Sequence, residues 1–248
     1  MTEVDLRCGE QLDDLVINNW KIIQPSQGFR FSLDAVLLAH FATVRKHTHA
    51  VDLGTGTGVI AMLLCSRGAA KVEAVELIPE MADLAKRNAK LNKLEPVLSV
   101  HQGDLRKVKE LLPSGTFDLV VSNPPYRPVG GGFLNACAET AAARHETTAT
   151  LADVTAAAKY LVKYRGRFAM VHLPERLTDI LAIMREHAIE PKRLRMIHPA
   201  LHKQPNMILV EGVRGAKAGL QVLPPLSIYE SSGGYNQEIL SWYKGGVV

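Results

Sequence analysis

Four consecutive residues, Asn123-Pro124-Pro125-Tyr126, place a polar amide, two prolines and an aromatic ring directly after an apolar run at 117–122. The amide can accept and donate hydrogen bonds, and the ring offers a flat face for stacking. The prolines restrict the backbone, so these groups are positioned before a ligand arrives. We therefore predict that this segment holds a group while it is chemically modified.

The residue types favour a planar amino group as the target. An aryl or amide NH2 is a poor nucleophile because its lone pair is delocalised. The Asn123 Oδ1 atom and the Pro124 carbonyl can each accept one N–H, which orients the nitrogen and favours a pyramidal geometry. Stacking of a base on Tyr126 is worth ~1–3 kcal/mol. No strong general base is required, and the motif alone does not choose between an adenine and a glutamine amide.

A second segment places three glycines, Gly54, Gly56 and Gly58, between a predicted strand and a predicted helix. Such a loop lets a ligand approach the backbone closely, and the helix behind it offers free N–H groups. The spacing is G-x-G-x-G rather than the dinucleotide pattern G-x-G-x-x-G. The preceding carboxylate, Asp52, would repel a pyrophosphate but suits a cationic ammonium. These features favour S-adenosylmethionine, which carries an ammonium and no phosphate.

Acidic residues stand at the ends of the next two predicted strands. Glu76 is placed to accept hydrogen bonds from two ribose hydroxyls, by the logic of dinucleotide sites, and Asp104 to reach an adenine amino group. Each residue alone could equally be a turn or a helix cap, but their position at successive strand ends favours a cofactor site. Asp34 is a candidate for the methionyl end, although an ordinary acidic residue early in a helix is the safer interpretation. The predicted cofactor-binding residues are Asp34, Asp52, Gly54, Thr55, Gly56, Gly58, Glu76, Leu77, Asp104, Leu105 and Asn123.

Strands and helices alternate from residue 49 onward. We predict strands at 49–53, 71–76, 97–101, 117–122, 167–173, 193–197 and 206–211, and helices at 57–67, 79–92, 104–112, 151–163, 174–187 and from about 236. Repeated βα units with short links imply a parallel sheet that is covered by helices on both faces. Upstream, the apolar runs 15–17 and 20–23 flank Asn18-Asn19 and predict a hairpin, and a helix with Ser32 as its N-cap follows.

Composition narrows the class of protein further. The 248 residues are 47% hydrophobic and 22% charged, which indicates a globular chain. The apolar runs are too short to span a bilayer, and the N-terminus does not resemble a secretory signal. The three cysteines, Cys8, Cys65 and Cys137, are widely spaced, so we expect reduced thiols, a cytoplasmic protein and no metal site.

Positive charge is concentrated in the C-terminal half. The formal net charge is +4, yet residues 159–217 contain twelve Lys/Arg and five Asp/Glu, a local charge of +7. This pattern favours a basic face for phosphates, or alternatively an ordinary solvated surface. Residues 129–150 form either a lid that orders on RNA or a plain surface loop. The candidate substrate-binding residues are Tyr126, Arg127, Arg144, His145, Lys192, Arg193 and Arg195.

Together these motifs resemble the S-adenosylmethionine-dependent amino-methyltransferases over roughly residues 30–213. Residues 31–39 (FSLDAVLLA) and 143–146 (ARHE) are more narrowly similar to the bacterial tRNA(Val) adenine-N6 methyltransferase group, which acts at position 37 of the anticodon loop. The resemblance implies a Rossmann-like class I methyltransferase fold, α/β, with a mostly parallel seven-stranded sheet. It also implies one domain over 1–248, with a hairpin and helix cap at 1–48 and the catalytic core at 49–248. The expected product is S-adenosylhomocysteine, the expected partner is tRNA, and the expected state is a monomer or weak dimer.

Other functions remain open at this point. Glutamine N5-methylation of a protein fits the same motif, but those enzymes usually carry a larger helical N-terminal domain, and about 50 residues precede Asp52 here. Guanine-N2 methylation of rRNA is a third possibility. DNA adenine methylation is disfavoured because no added target-recognition domain is visible. A cofactor-binding RNA or protein interaction module without catalysis is disfavoured by the intact Asn123 and Tyr126.

Overall fold

The chain alternates strands and helices in the order that its hydrophobic pattern predicts. The computed structural model describes residues 5–15, 17–27, 32–125, 149–230 and 233–243. The strands are β1 (Glu10–Asp14), β2 (Lys21–Pro25), β3 (His49–Leu53), β4 (Lys71–Glu76), β5 (Leu98–Gln102), β6 (Phe117–Ser122), β7 (Val162–His172), β8 (Ile189–His198), β9 (Met207–Arg214), β10 (Gln221–Val222) and β11 (Leu226–Ser227). The helices are α1 (Leu33–Phe41), α2 (Val59–Ser66), α3 (Pro79–Leu91), α4 (Leu151–Leu161), α5 (Leu177–Glu186) and α6 (Gln237–Tyr243), with 3₁₀ turns at Leu105–Glu110 and Pro174–Arg176. Across these ranges, every helix is too short or too polar to cross a bilayer.

Seven strands form the central sheet in the order β5-β4-β3-β6-β7-β9-β8. The pairs among β5, β4, β3, β6 and β7 are parallel, and β9 runs antiparallel to both β7 and β8. The predicted mostly parallel seven-stranded sheet is therefore confirmed, and β10 and β11 add two residues each beside β8. The strand order reverses between β3 and β6, and ligands of open α/β sheets bind at such a reversal.

The central strands are buried on both faces, which explains why they read as nearly continuous apolar runs. Ala50 and Leu119 face the layer of α1, α2 and α3. Their neighbours Val51 and Val120 face the opposite layer, which contains α4 and α5. Because side chains alternate along a strand, one run of apolar residues supplies both halves of the core.

The predicted N-terminal hairpin is present, with its strands shifted away from the turn. Asn18 and Asn19 both adopt positive φ (53° and 56°), the conformation that a tight turn requires of them. The strands are β1 and β2 rather than 15–17 and 20–23. Leu15 and Ile17 are buried beside the turn, where the Leu15 N–H donates to the Trp20 carbonyl at 2.9 Å and the Ile17 carbonyl accepts from the Trp20 N–H at 3.0 Å. On α3, the Asn88 amide donates to the Ile23 carbonyl at 2.9 Å and accepts from its N–H at 2.6 Å. The hairpin is thereby held against the core.

Two arginines hold the C-terminal end of α1. Arg67 Nη1 donates to the Ala42 carbonyl at 2.6 Å and also to the Ala39 carbonyl. Arg193 Nη1 donates to the Phe41 carbonyl at 3.1 Å. Cations at this end satisfy carbonyls that a helix leaves unpaired and complement its dipole. The position of α1 is therefore fixed from two distant parts of the chain.

Candidate active site

The glycine loop and Asn123 come together because β3 and β6 are neighbours in the sheet. Leu53 and Ser122, the last residues of the two strands, are register partners. Gly54 and Asn123 therefore leave the sheet side by side at its carboxyl edge. Both line a single cleft, whose other walls include Thr55, Gly56 and Asp34. The structure thus joins the two segments that the sequence singled out for cofactor and target.

The amide of Asn123 is held in one orientation. Its Nδ2 atom donates to Asp34 Oδ2 at 3.0 Å. Its Oδ1 atom is buried and accepts no hydrogen bond from the described residues. Behind it, Ser122 Oγ donates to the Leu53 carbonyl at 2.9 Å and ties the end of β6 to the end of β3. Pro124 is buried and Pro125 is exposed, so the amide projects from a rigid, partly buried turn.

The loop after β3 is tied to the neighbouring strand, and Gly58 makes its tightest approach. The N–H groups of Gly54 and Thr55 donate to the Val75 carbonyl at 2.9 and 3.1 Å. Gly58 is the N-cap of α2 with φ of +90°, and a Cβ there would lie 3.3 Å from Ala85 Cβ. The positive φ favours glycine, and a Cβ would press on α3 closely enough that Ala85 would have to give by a few tenths of an ångström.

Asp52 lies completely buried beneath the loop. Thr55 Oγ1 donates to Asp52 Oδ2 at 2.6 Å, whereas Oδ1 lacks a partner within the described ranges. Burial raises the pKa of the Asp52 carboxyl from its ordinary 3.8 to about 7, and the charge of Glu76 adds to the rise; hydrogen bonds from Thr55 and the Ala61 amide oppose it. A buried carboxyl with an unpartnered oxygen favours a cationic ligand nearby, which would restore its charged form.

The buried carboxyl predicts an unusual pH dependence of stability. Because the pKa of Asp52 is higher in the folded than in the unfolded state, the folded protein retains a proton that the unfolded chain releases between about pH 4 and pH 7. Stability should therefore fall as pH rises through this window, by at most about 4 kcal/mol, and level off above it. Urea unfolding of Asp52→Asn should show a smaller fall than the wild type over the same window. Parallel pH profiles of the two proteins would contradict this assignment.

Glu76 lies at the carboxyl end of β4, where the sequence placed it, and supports the loop. Its Oε2 atom accepts from the Gly56 N–H at 2.8 Å, and Oε1 accepts from the Ile78 N–H at 2.9 Å. Each carboxylate oxygen retains a further lone pair for a ligand hydroxyl. Leu77, next in the chain, is partly buried.

Asp104 follows β5 at the same edge of the sheet. Its carboxylate accepts from Arg106 Nη2 at 2.7 Å, and this hydrogen bond is the main cause that lowers the pKa of Asp104. Leu105 packs partly buried against the apolar layer beneath it. An adenine amino group would therefore share Asp104 with Arg106.

The predicted substrate-side residues divide into two groups. Tyr126, Arg127, Arg144 and His145, with most of the predicted 129–150 loop, lie outside the described residues. Lys192, Arg193 and Arg195 lie on β8, three strands away from β6.

The contacts of the β8 arginines favour a structural role over phosphate binding. Arg193 Nη1 donates to Thr43 Oγ1 at 3.0 Å, and its guanidinium lies 4.5 Å from the centroid of the Phe41 ring. The same atom lies 3.2 Å from Glu211, which is completely buried. Arg195 makes a two-pronged pair with Glu238 at 2.5 and 2.7 Å.

Removing Arg193 should therefore cost stability. Arg193→Ala deletes the contacts to α1 and leaves the buried Glu211 with one cation fewer, so we expect a loss of about 1–3 kcal/mol in the free energy of unfolding. The neighbouring Lys192, whose Nζ donates to the exposed Lys217 carbonyl at 3.3 Å, serves as the control, with an expected change within about 0.5 kcal/mol. Equal losses of stability in the two variants, measured by urea unfolding, would contradict a structural role for Arg193.

Sequence reasoning identifies Asp34 but misses what it contacts. The sequence suggests the methionyl end of the cofactor or an ordinary helix position, whereas the structure pairs Asp34 with Asn123 across 89 positions of sequence. Sequence reasoning also misses Glu211 as the hub of a buried charge cluster with Arg167 and Arg193. The local signal for Asp34 is its place just after the N-cap Ser32; Glu211 carries no local signal.

Three features define a class I S-adenosylmethionine-dependent methyltransferase: the strand order with an antiparallel β9, the glycine loop at the reversal, and the acidic residue that ends β4. Among solved structures, a predicted O-methyltransferase from Agrobacterium tumefaciens has the same fold, with a TM-score of 0.69 and 22% identity over 86% of this chain and 96% of that one. The geranyl diphosphate C-methyltransferase of Streptomyces coelicolor, solved with S-adenosylhomocysteine, has a TM-score of 0.54 and 13% identity over 73% and 78% of the two chains.

The profile of the methyltransferase small domain family matches residues 33–175, and the chain belongs to that family. A tRNA1(Val) (adenine(37)-N6)-methyltransferase from Porphyromonas gingivalis is 29% identical over 91% of both chains. The enzyme of that name from Parabacteroides distasonis is 30% identical over 72% of this chain and 74% of its own. The resemblance inferred from the motifs is thus confirmed, and the chain is an S-adenosylmethionine-dependent methyltransferase.

Proposed function

We propose that this enzyme methylates N6 of an adenine in the anticodon loop of a tRNA, in the cytoplasm. An amino group is the favoured target because Asn123, which lines the cleft beside the glycine loop, has a buried Oδ1 atom. This oxygen is a hydrogen-bond acceptor without a partner among the described residues. The names of the similar proteins support adenine in tRNA as the particular target.

The residues at the carboxyl edge fit S-adenosylmethionine. When bound, this cofactor supplies a methyl group that is already activated on a cationic sulfur. Asp52, with its unpartnered Oδ1, provides negative charge beneath the loop for the ammonium. The remaining lone pairs of Glu76 suit ribose hydroxyls, and Asp104 suits the adenine amino group. Gly54 and Gly56 line the cleft, and without a Cβ they permit close approach of the ligand to the backbone.

The protein's contribution to transfer is orientation of the target amine. Asn123 Oδ1 and the Pro124 carbonyl each accept one N–H, so the nitrogen lone pair points away from them, toward the methyl group. With S-adenosylmethionine held by the glycine loop, Asp52 and Glu76, methyl transfer to the amine that Asn123 orients would leave the S–C electron pair on sulfur, and the nitrogen would lose its proton to solvent. Tyr126 stacks on the base. An anticodon-loop base is easily exposed, unlike a base within a duplex.

RNA contacts from Arg127, Arg144 and His145 belong to the same proposal. On β8, Arg193 pairs with Glu211 and Arg195 pairs with Glu238. We therefore assign phosphate contact to Lys192 in preference to either arginine. Lys192→Glu should then flatten the salt dependence of tRNA binding, because each phosphate contact contributes to its slope.

Radiolabelled methyl transfer to separate pools of tRNA, rRNA and protein tests the proposal. Label in tRNA, recovered as N6-methyladenosine after digestion, is the expected result. Label confined to glutamine in protein, or to N2-methylguanosine in rRNA, would replace the proposed substrate. Binding of S-adenosylhomocysteine and RNA without transfer to any pool would indicate a non-catalytic module.

A further inference from the structure

Asp34 has its two carboxylate oxygens committed to different tasks. It stands near the N-terminus of α1 and is 9% exposed. Its Oδ1 atom accepts from the Ala35 N–H at 3.0 Å and from Ser32 Oγ. Its Oδ2 atom accepts from Asn123 Nδ2 at 3.0 Å, and both residues line the cleft. The helix N-terminus favours a negative charge at this place.

This carboxylate determines which end of the Asn123 amide points into the cleft. A carboxylate only accepts hydrogen bonds, so the NH2 end of Asn123 must face Asp34. The oxygen is then directed to the other side, where it is buried without a partner in the described part of the chain. Rotating the amide by half a turn would bring two oxygens together and would present a donor to an incoming NH2 group. The negative charge also polarises the amide and strengthens its oxygen as an acceptor.

The place of Asp34 is set by the fold rather than by a flexible loop. The α1 side chains Val36, Leu37 and Leu38 are completely buried. Arg67 and Arg193 hold the carbonyls at its far end. Asp34 therefore lies on a rigid helix, α1, whose position is fixed independently of β6, the strand that precedes Asn123.

We propose that Asp34 is a positioning residue for methyl transfer, acting through Asn123. It holds the amide with Oδ1 toward the target amine and polarises that oxygen. This inference rests on the proposed role of Asn123 and replaces a direct contact between Asp34 and the cofactor.

The isosteric variant Asp34→Asn makes a sharp test. The Ala35 N–H can only donate, so the oxygen of the substituted amide would take the Oδ1 position and its NH2 group would face Asn123. Asn123 would then turn its own oxygen toward residue 34 and its NH2 group into the cleft. Asp34→Asn should therefore be at least as harmful as Asp34→Ala, with kcat lowered about 30-fold or more and KM for tRNA changed less than about threefold.

The reciprocal double variant should restore the acceptor. In D34N/N123D, the NH2 group of residue 34 donates to one oxygen of the new carboxylate, and the other oxygen faces the cleft. We expect kcat about tenfold above that of either single variant. Recovery of kcat in D34N/N123D would support a directional hydrogen bond. If the role of Asp34 were merely structural, Asp34→Asn would have little effect on kcat.

Two further measurements, cofactor affinity and side-chain NMR, test whether Asp34 positions Asn123 or binds the cofactor. Titration calorimetry with S-adenosylhomocysteine should give a Kd within about threefold of wild type for Asp34→Asn. A Kd raised about tenfold or more would make Asp34 a cofactor ligand and overturn the proposal, as would a kcat within about threefold of wild type. If the wild type methylates no adenine, the proposed function fails separately. The Asn123 side-chain NH2 signals in NMR then decide: a shift on Asp34→Ala supports the positioning role, and unchanged signals overturn it.

Discussion

Replacing Asn123 by alanine is expected to lower kcat/KM for methyl transfer by about 10²–10³-fold, the range seen when one preorganised hydrogen-bonding group is removed from an active site. The change deletes the Oδ1 acceptor, which is buried without a partner among the described residues, and the Nδ2 donor to Asp34. The glycine loop and Asp52 are untouched. Affinity for S-adenosylhomocysteine should therefore stay within about threefold of wild type, measured by calorimetry beside the initial rates.

A matched control is available on the surface. Asn206 is exposed; its backbone N–H donates to the Ile197 carbonyl at 3.0 Å, and its side chain forms no hydrogen bond within the described part of the chain. Asn206→Ala should leave both rate and affinity unchanged. If Asn123→Ala retains transfer within a few-fold of wild type, the acceptor role of Asn123 is wrong.

Replacing Gly58 by alanine should weaken cofactor binding strongly. The residue has φ of +90°, and its new Cβ would lie 3.3 Å from Ala85 Cβ, so either the loop or α3 must shift. We expect affinity for S-adenosylhomocysteine to fall about tenfold or more and the free energy of unfolding to fall by about 1–3 kcal/mol. Calorimetry and urea unfolding measure the two effects.

The variant Gly68→Ala is a control that isolates the effect of backbone strain from effects on the cofactor site. It has a similar φ of +86° at the other end of α2, but a Cβ there would meet no atom within 4 Å. Gly68→Ala should cost about 1–2 kcal/mol of stability through the positive φ alone, with cofactor affinity unchanged. Loss of affinity in both variants would mean that global destabilisation, not the loop, explains the Gly58 result.

Much of the fold could be predicted because its central strands are short apolar runs that end in glycine, acid or proline. β3, β4 and β6 begin and end at the predicted residues. β7 begins at Val162, before the predicted start at residue 167. The sequence pattern missed this start because the first half of the strand is polar and includes Arg165, which has a φ of +65°. The predicted helix 104–112 is a 3₁₀ turn with a kink at Lys107. Periodicity does not reveal either irregularity.

The site was predictable only where local spacing carried the information. The glycine loop, Glu76 and Asn123 each follow a strand, so their meeting at one edge follows from a parallel sheet. The Asp34–Asn123 hydrogen bond joins α1 to β6 and depends on tertiary packing. Charge counting likewise indicated a basic region, but the buried Glu211 pairs with Arg167 and Arg193 only because β9 lies between β7 and β8.

We propose that methyl transfer to an adenine amine of tRNA takes place in the cleft between the glycine loop and Asn123. Mass spectrometry of nucleosides from tRNA(Val), after incubation with S-adenosylmethionine and either wild type or Asn123→Ala, tests it most directly. We expect N6-methyladenosine in the anticodon-loop fragment with the wild type and none with the variant. A tRNA pool that remains unmethylated by the wild type, while the same enzyme methylates glutamine in a protein pool, would contradict it.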